Sequence, residues 1–252
     1  MGWLRCINST LDWAQSAREP TRIGFAIARR TGVVDEGGTA SRRVSRKPGP
    51  DSALHMRRDV SGGRVRTARL RVTGGRLRGR RIRIPAEGVR PTSARIREAL
   101  FGRLADLEGA SVLDLYAGSG ALGIEAISRG AEAAVFVDRA AHTLAVLRAN
   151  LATLEIDPVS RVMAGDVPQV VARLGRARER FDLALLDPPY ASDEPARALE
   201  ALVDSEILAP GAIVVLERSR RHPSPRVSGL SELDERRYGD TVVARFIAGQ
   251  TD

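Results

Sequence analysis

Past Gly109 the chain alternates short apolar runs with stretches of helical periodicity, and this rhythm constrains the fold more than any single motif does. The strand-like runs cover 111–116, 133–138, 161–164, 181–187 and 212–217, and the helix-like stretches between them cover 121–129, 140–153, 168–174 and 195–204. Strand and helix repeated at this spacing predict a doubly wound, largely parallel α/β sheet of the Rossmann-like type. The tail, 235–238 and 241–247 around Gly239-Asp240, predicts a closing antiparallel hairpin. In such sheets ligands sit beyond the carboxyl ends of the strands, so the residues at those ends carry the functional information.

The first strand ends in Asp114-Leu-Tyr116-Ala117-Gly118-Ser119-Gly120-Ala-Leu-Gly123 and runs straight into a helix. Its glycines allow a tight turn and close approach to a ligand, and the helix start offers free N–H groups. The same glycines satisfy a dinucleotide fingerprint, with Asp138 eighteen residues past Gly120 to hold a ribose. Asp114 separates the two readings: an acid there repels a pyrophosphate and suits a ligand carrying an ammonium or sulfonium group, which points to S-adenosylmethionine. Asp138 at the end of the second run can accept both hydroxyls of a ribose, or cap the helix that follows. Asp166, in Ala164-Gly-Asp166, can accept from an adenine amino group, or serve as an N-cap ahead of Pro168. After the fourth run stands Asp187-Pro188-Pro189-Tyr190. Two prolines remove two N–H donors, so this corner presents mainly acceptors, the Asp187 carboxylate and the Pro188 carbonyl, while Tyr190 offers a face for a base to stack on. Such a corner fits an exocyclic amino group.

Charge divides unevenly along the chain. Residues 1–90 hold 21 basic and 7 acidic side chains, against 19 and 24 in residues 91–252. Between Arg64 and Arg97 there are 12 arginines and one acid, Glu87, the composition of a surface that meets a polyanion. A general preference for arginine contributes too, since Lys47 is the only lysine. Leu70, Val72, Ile82 and Ile84 alternate with Arg69, Arg71, Arg81 and Arg83 around a glycine-containing loop, predicting a β-hairpin with one apolar and one arginine face. Arg78, Arg80, Arg90, Arg95 and Arg97 extend the candidate polyanion surface through the loop and into a helix opened by Pro91-Thr92, with Ile96, Leu100 and Leu104 on one side. Residues 1–63 lack periodicity and are expected to be disordered, with Met56 as an alternative start. The expected organisation is therefore that extension, a basic hairpin and helix over 64–108, and the α/β domain over 109–252. No apolar run approaches the roughly 20 residues of a membrane span, and residues 1–30 carry scattered charges in place of a signal sequence. One cysteine and three scattered histidines, His55, His142 and His222, suggest no disulfide and no metal site. The expected setting is the cytoplasm, and the expected state a monomer.

Asp114-x-x-Ala-Gly-Ser-Gly together with Asp187-Pro-Pro-Tyr resembles the class I S-adenosylmethionine-dependent methyltransferases that modify exocyclic amines. Gly74-Gly-Arg-Leu-Arg-Gly-Arg-Arg and the block Arg90-Pro-Thr-Ser-x-x-x-Arg97-Glu98-Ala-Leu-Phe101 further resemble the bacterial 16S ribosomal RNA guanine 966 N2-methyltransferase family, over roughly residues 69–246. The resemblance implies a seven-stranded sheet and a basic hairpin for RNA. It implies that Asp114 and the loop Tyr116 to Gly120 hold the methionine part of the cofactor, Asp138 the ribose and Asp166 the adenine, with Asp187 and Tyr190 on the guanine. Its partner would be 16S ribosomal RNA or a small-subunit assembly intermediate. A DNA adenine or cytosine amino-methyltransferase uses the same kind of corner and stands as the alternative. An NAD-dependent oxidoreductase leaves the corner and hairpin idle, and a non-catalytic RNA-binding module leaves the acids at the strand ends without a role.

Overall fold

The computed structural model describes residues 69–85, 93–189 and 193–249; the extension 1–63, Arg90 and Tyr190 lie outside the described residues. Nine strands and five α-helices are described: β1 (Arg69–Arg71), β2 (Arg81–Arg83), α1 (Ala94–Phe101), β3 (Ser111–Leu115), α2 (Ala121–Ser128), β4 (Ala133–Asp138), α3 (Ala141–Leu154), β5 (Ser160–Ala164), α4 (Val167–Arg176), β6 (Phe181–Leu186), α5 (Glu194–Asp204), β7 (Leu208–Ser219), β8 (Leu230–Tyr238) and β9 (Thr241–Ala248). β3 to β9 form one sheet in the order β5-β4-β3-β6-β7-β9-β8, with β9 antiparallel to its neighbours. The expected seven-stranded α/β sheet is present. Among the described residues no helix is long and apolar enough to cross a membrane.

Alternation along the buried strands sends successive residues to opposite faces. Val112, Phe136, Leu185 and Val215 join one cluster with α2, α3, α1 and the β1–β2 hairpin. Leu113, Val137, Leu186 and Leu216 join the other, with α4 and α5. Burial on both faces is why these strands read as continuous apolar runs. The exposed outer edge is different: β8 carries Glu232, Arg236 and Arg237, and this polar composition hides most of a nine-residue strand from hydrophobic pattern while blunting an open sheet edge.

The hairpin and α1 share a core with the sheet, since Val72, Leu77, Ile82, Ile96, Leu100 and Phe101 pack in the cluster that holds Val112 and Leu147. No boundary at residue 108 divides that core. Polar contacts fix the dock. Glu125 of α2, 1% exposed, accepts from Thr73 N at 2.8 Å, Thr73 Oγ1 at 2.7 Å and Gly74 N at 2.7 Å. Arg76 N caps the carbonyl of Ser128 at 2.7 Å, and a Cβ on Gly75 would stand 1.7 Å from that oxygen, so the approach requires glycine.

Candidate functional site

The chain leaves β3 toward β4 on one side and returns through β6 on the other, so the strand order reverses between β3 and β6. A crevice forms at such a reversal, outside the carboxyl ends of the strands. Both sequence motifs meet there: Leu115 pairs with Leu186, and Asp187 N reaches the Leu115 carbonyl at 3.5 Å. The glycine loop and the Asp-Pro-Pro corner are thus neighbours in space despite about seventy intervening residues.

The loop begins at Tyr116, which turns out of the strand at φ 58, and ends at Gly120, which precedes α2 at φ 82 with no side chain capping the helix. Gly123 closes the turn: a Cβ there would come within 2.3 Å of the Phe136 ring. Ala117 and Ser119 are buried between these points. Burial, with the charges of Glu194 and Asp166 beside it, keeps the Tyr116 phenol protonated well past its ordinary range.

Asp138 sits across from this loop and already uses both oxygens. Oδ2 accepts from Gly118 N and Oδ1 from Ala140 N, each at 2.9 Å. The second bond goes to the N–H of the N-cap residue itself, so Asp138 braces the turn into α3 while the helix has no side-chain cap, and a carboxylate with roughly four acceptor sites has room left for a ligand. Asp166 occupies the N-cap position of α4, yet its side chain makes no capping hydrogen bond. A half-buried carboxylate facing Tyr116 and not spent on its own helix suits an amino-group donor such as adenine. These acids and the uncapped start of α2 fit the adenosyl and aminoacyl groups of S-adenosylmethionine. Among the described residues there is no group of metal-ligating side chains.

Asp114 lies deeper than its motif suggests. It is 1% exposed and accepts from Gly123 N at 2.8 Å, beneath the loop rather than in the open crevice. Desolvation pushes its pKa up to about 8, against the Gly123 hydrogen bond and with the help of the Asp138 charge. In an unfolded chain the same group titrates near about 3.9. The protonated carboxyl therefore contributes stability that is fully present below that value and is lost as pH rises through about 8. Asp114→Asn keeps an acceptor for Gly123 and does not titrate. Its melting temperature relative to wild type should climb by several degrees between pH 5 and pH 9 in the ligand-free protein, and a difference that stays constant with pH would show that Asp114 is not held protonated.

Beside the corner, Pro188 and Pro189 share a cleft with Glu217, Arg218 and His222. Arg218, 7% exposed, holds the loop after β7 by donating to the His222 carbonyl at 2.5 Å and to Glu235 at 2.6 Å. His222 thus lines the cleft, which scattered histidines in the sequence did not suggest.

The arginines separate into two groups. Arg69, Arg71, Arg78, Arg80, Arg81, Arg83 and Arg95 are exposed, as is Arg76, which the sequence reading left out. Arg80 also donates to the Thr153 carbonyl at 2.8 Å. Arg97 is a correction: it is 0% exposed and donates to the Arg71 carbonyl at 2.7 Å, so it belongs to the interior and not to an RNA surface. Four residues before Phe101, it falls on the buried stripe of α1, and that spacing was the available signal. Arg69 stands directly opposite Arg83, and Arg71 opposite Arg81. Like charges in such cross-strand pairs repel, and a polyanion laid along the ribbon relieves the repulsion.

One further residue ties the hairpin to the loop. Asn150 of α3, 2% exposed, exchanges hydrogen bonds with the Arg83 backbone at 2.8 and 2.9 Å and donates to the Ser119 carbonyl at 2.9 Å. Its signal in the sequence was a polar residue on the stripe of Leu147, Leu151 and Leu154.

The family model described as Conserved hypothetical protein 95 matches residues 70–247. Ribosomal RNA small subunit methyltransferase D of Escherichia coli is 32% identical over 160 residues, which cover 63% of this chain and 79% of that one. The protein of the same name in Haemophilus influenzae is 30% identical over 139 residues, 55% of this chain and 72% of that one. A solved structure of a hypothetical protein from Thermus thermophilus superposes with a TM-score of 0.62 at 31% identity, covering 70% of this chain and 98% of that one.

Proposed function

The chain belongs to the conserved hypothetical protein 95 family, and from that membership and its strand-end geometry we propose that it transfers a methyl group from S-adenosylmethionine to the N2 amine of a guanine in small-subunit ribosomal RNA. The observation that carries the reading is the abutment of the glycine loop and the Asp187-Pro188-Pro189 corner at one strand reversal, on a sheet whose face also carries the arginine hairpin. Relatives named as small-subunit ribosomal RNA methyltransferases support the substrate class.

Asp138 and the glycine loop hold the cofactor's ribose and aminoacyl ends, and Asp166 its adenine. The cofactor supplies a methyl group already activated by its sulfonium, so the protein's work is alignment and exclusion of water. Guanine must leave its stack to enter the crevice. Asp187 and the Pro188 carbonyl accept from the amine's two protons, which localises a lone pair otherwise spread into the ring, and Asp187 is the acceptor for the proton shed when the new N–C bond forms. Tyr190 supplies the stacking face.

The test is transfer of a tritiated methyl group to naked 16S RNA, small-subunit particles and DNA in parallel, with the labelled nucleoside identified. N2-methylguanosine from either RNA substrate is expected. Label in DNA alone would replace this reading with the amino-methyltransferase of DNA.

Exposed arginines on a short ribbon bind phosphate without reading sequence. Each neutralised phosphate contributes about 0.7 to 0.9 to the slope of log affinity against log salt. Replacing Arg81 and Arg83 by Gln should flatten that slope for RNA by about 1.5 to 2, with cofactor affinity unchanged. Parallel salt titrations of the two proteins would move the RNA surface elsewhere.

A further inference from the structure

Guanine offers more than its N2 amine. Beside the amine stands N1–H, a second donor, and a base taken out of its stack into a dry crevice loses affinity for every donor left unpaired. The corner accounts for the amine protons. The neighbouring strand supplies a candidate acceptor for N1–H.

β6 and β7 run parallel with Leu186 beside Leu216, so Asp187, the first residue past β6, stands next to Glu217, which is still within β7. By alternation both fall on the face of Leu183, Leu185, Ile213 and Val215, the face that carries α1 and the hairpin. Glu217 is 5% exposed and lines the cleft together with Pro188 and Pro189. Behind it lies Arg97, fully buried, whose guanidinium feels the charges of Glu125 and Glu217. Arginine keeps its proton even when burial disfavours the charge, so a cation stands near Glu217. An ionised glutamate accepts and cannot donate.

We propose that Glu217 is the specificity-determining residue of the base pocket, accepting N1–H of the target guanine beside Asp187. The proposal rests on the guanine-N2 reading above. It explains discrimination by chemistry: adenine, whose N1 is a lone pair, would set acceptor against carboxylate.

The analogue 2,6-diaminopurine keeps the N2 amine but presents N1 as an acceptor, with an amino group in place of O6, and the dependence of its discrimination on Glu217 separates the N1 contact from the change at C6. A 16S RNA fragment carrying guanine or 2,6-diaminopurine at the methylated position is compared in kcat/KM for N2 methylation. Wild type should favour guanine by about 10- to 150-fold, the effect of one hydrogen bond to a charged group. In Glu217→Gln, whose amide can accept from one base and donate to the other, the ratio should fall to within about threefold of unity. Glu217→Asp keeps the charge for Arg97 but withdraws the acceptor by one methylene, so it too should lose preference, with the larger loss on guanine. A glutamate that served only as a counter-charge would slow both substrates in parallel and leave the ratio at its wild-type value, which overturns the proposal. Equal use of both bases by wild type overturns it without any variant. Failure of wild type to methylate N2 of either base overturns the guanine-N2 reading itself, and that outcome is distinct from a ratio near unity.

Discussion

In the Asp187→Ala variant methyl transfer is expected to slow by about 10- to 150-fold, the kinetic equivalent of removing one hydrogen bond to a charged group. Cofactor affinity should stay close to wild type, because Asp187 follows β6, past the Leu115–Leu186 pairing, and is no part of the glycine loop. Asp187→Asn should do less harm, since its amide oxygen still accepts. Single-turnover transfer to small-subunit particles, alongside calorimetry with the cofactor, separates these effects. Wild-type rates in both variants would reduce the Asp-Pro-Pro corner to a turn and remove the residue on which the mechanism depends.

Asp138→Ala should weaken cofactor binding by about 2–3 kcal/mol, which is roughly 30- to 150-fold in Kd. The structure makes this loss composite. Besides the proposed ribose contacts, the substitution strips acceptors from Gly118 N and Ala140 N, so the loop and the turn into α3 both loosen. RNA affinity measured without cofactor should barely move. Comparing S-adenosylmethionine with analogues of it that lack the ribose hydroxyls separates the two contributions: if Asp138→Ala weakens both ligands equally, the carboxylate acts only through the backbone.

The docking of the hairpin also bears on coupling. Asn150 joins the Arg83 backbone to the Ser119 carbonyl, and Glu125 joins the hairpin turn to α2, whose first residues follow the glycine loop. The ribbon proposed to meet RNA and the loop proposed to meet the cofactor are therefore joined by the same few hydrogen bonds.

The linear sequence determined the strand and helix alternation and the acids at the strand ends, because each of these rests on local period or on residues within one turn, whereas the count of seven strands came with the family resemblance. It also determined the two-faced hairpin, where Leu70 and Ile82 turn inward between exposed arginines. Tertiary structure decided the rest. Whether Arg97 faces RNA or the interior depends on which side of α1 meets the sheet, and Arg95, two residues away, has the opposite fate. The Asp138 bond to Gly118 N, the depth of Asp114 and the placement of Glu217 beside Asp187 arise only when separate strands are brought into register. A polar side chain's role is set by the partner it finds across the fold, and no local period encodes that partner.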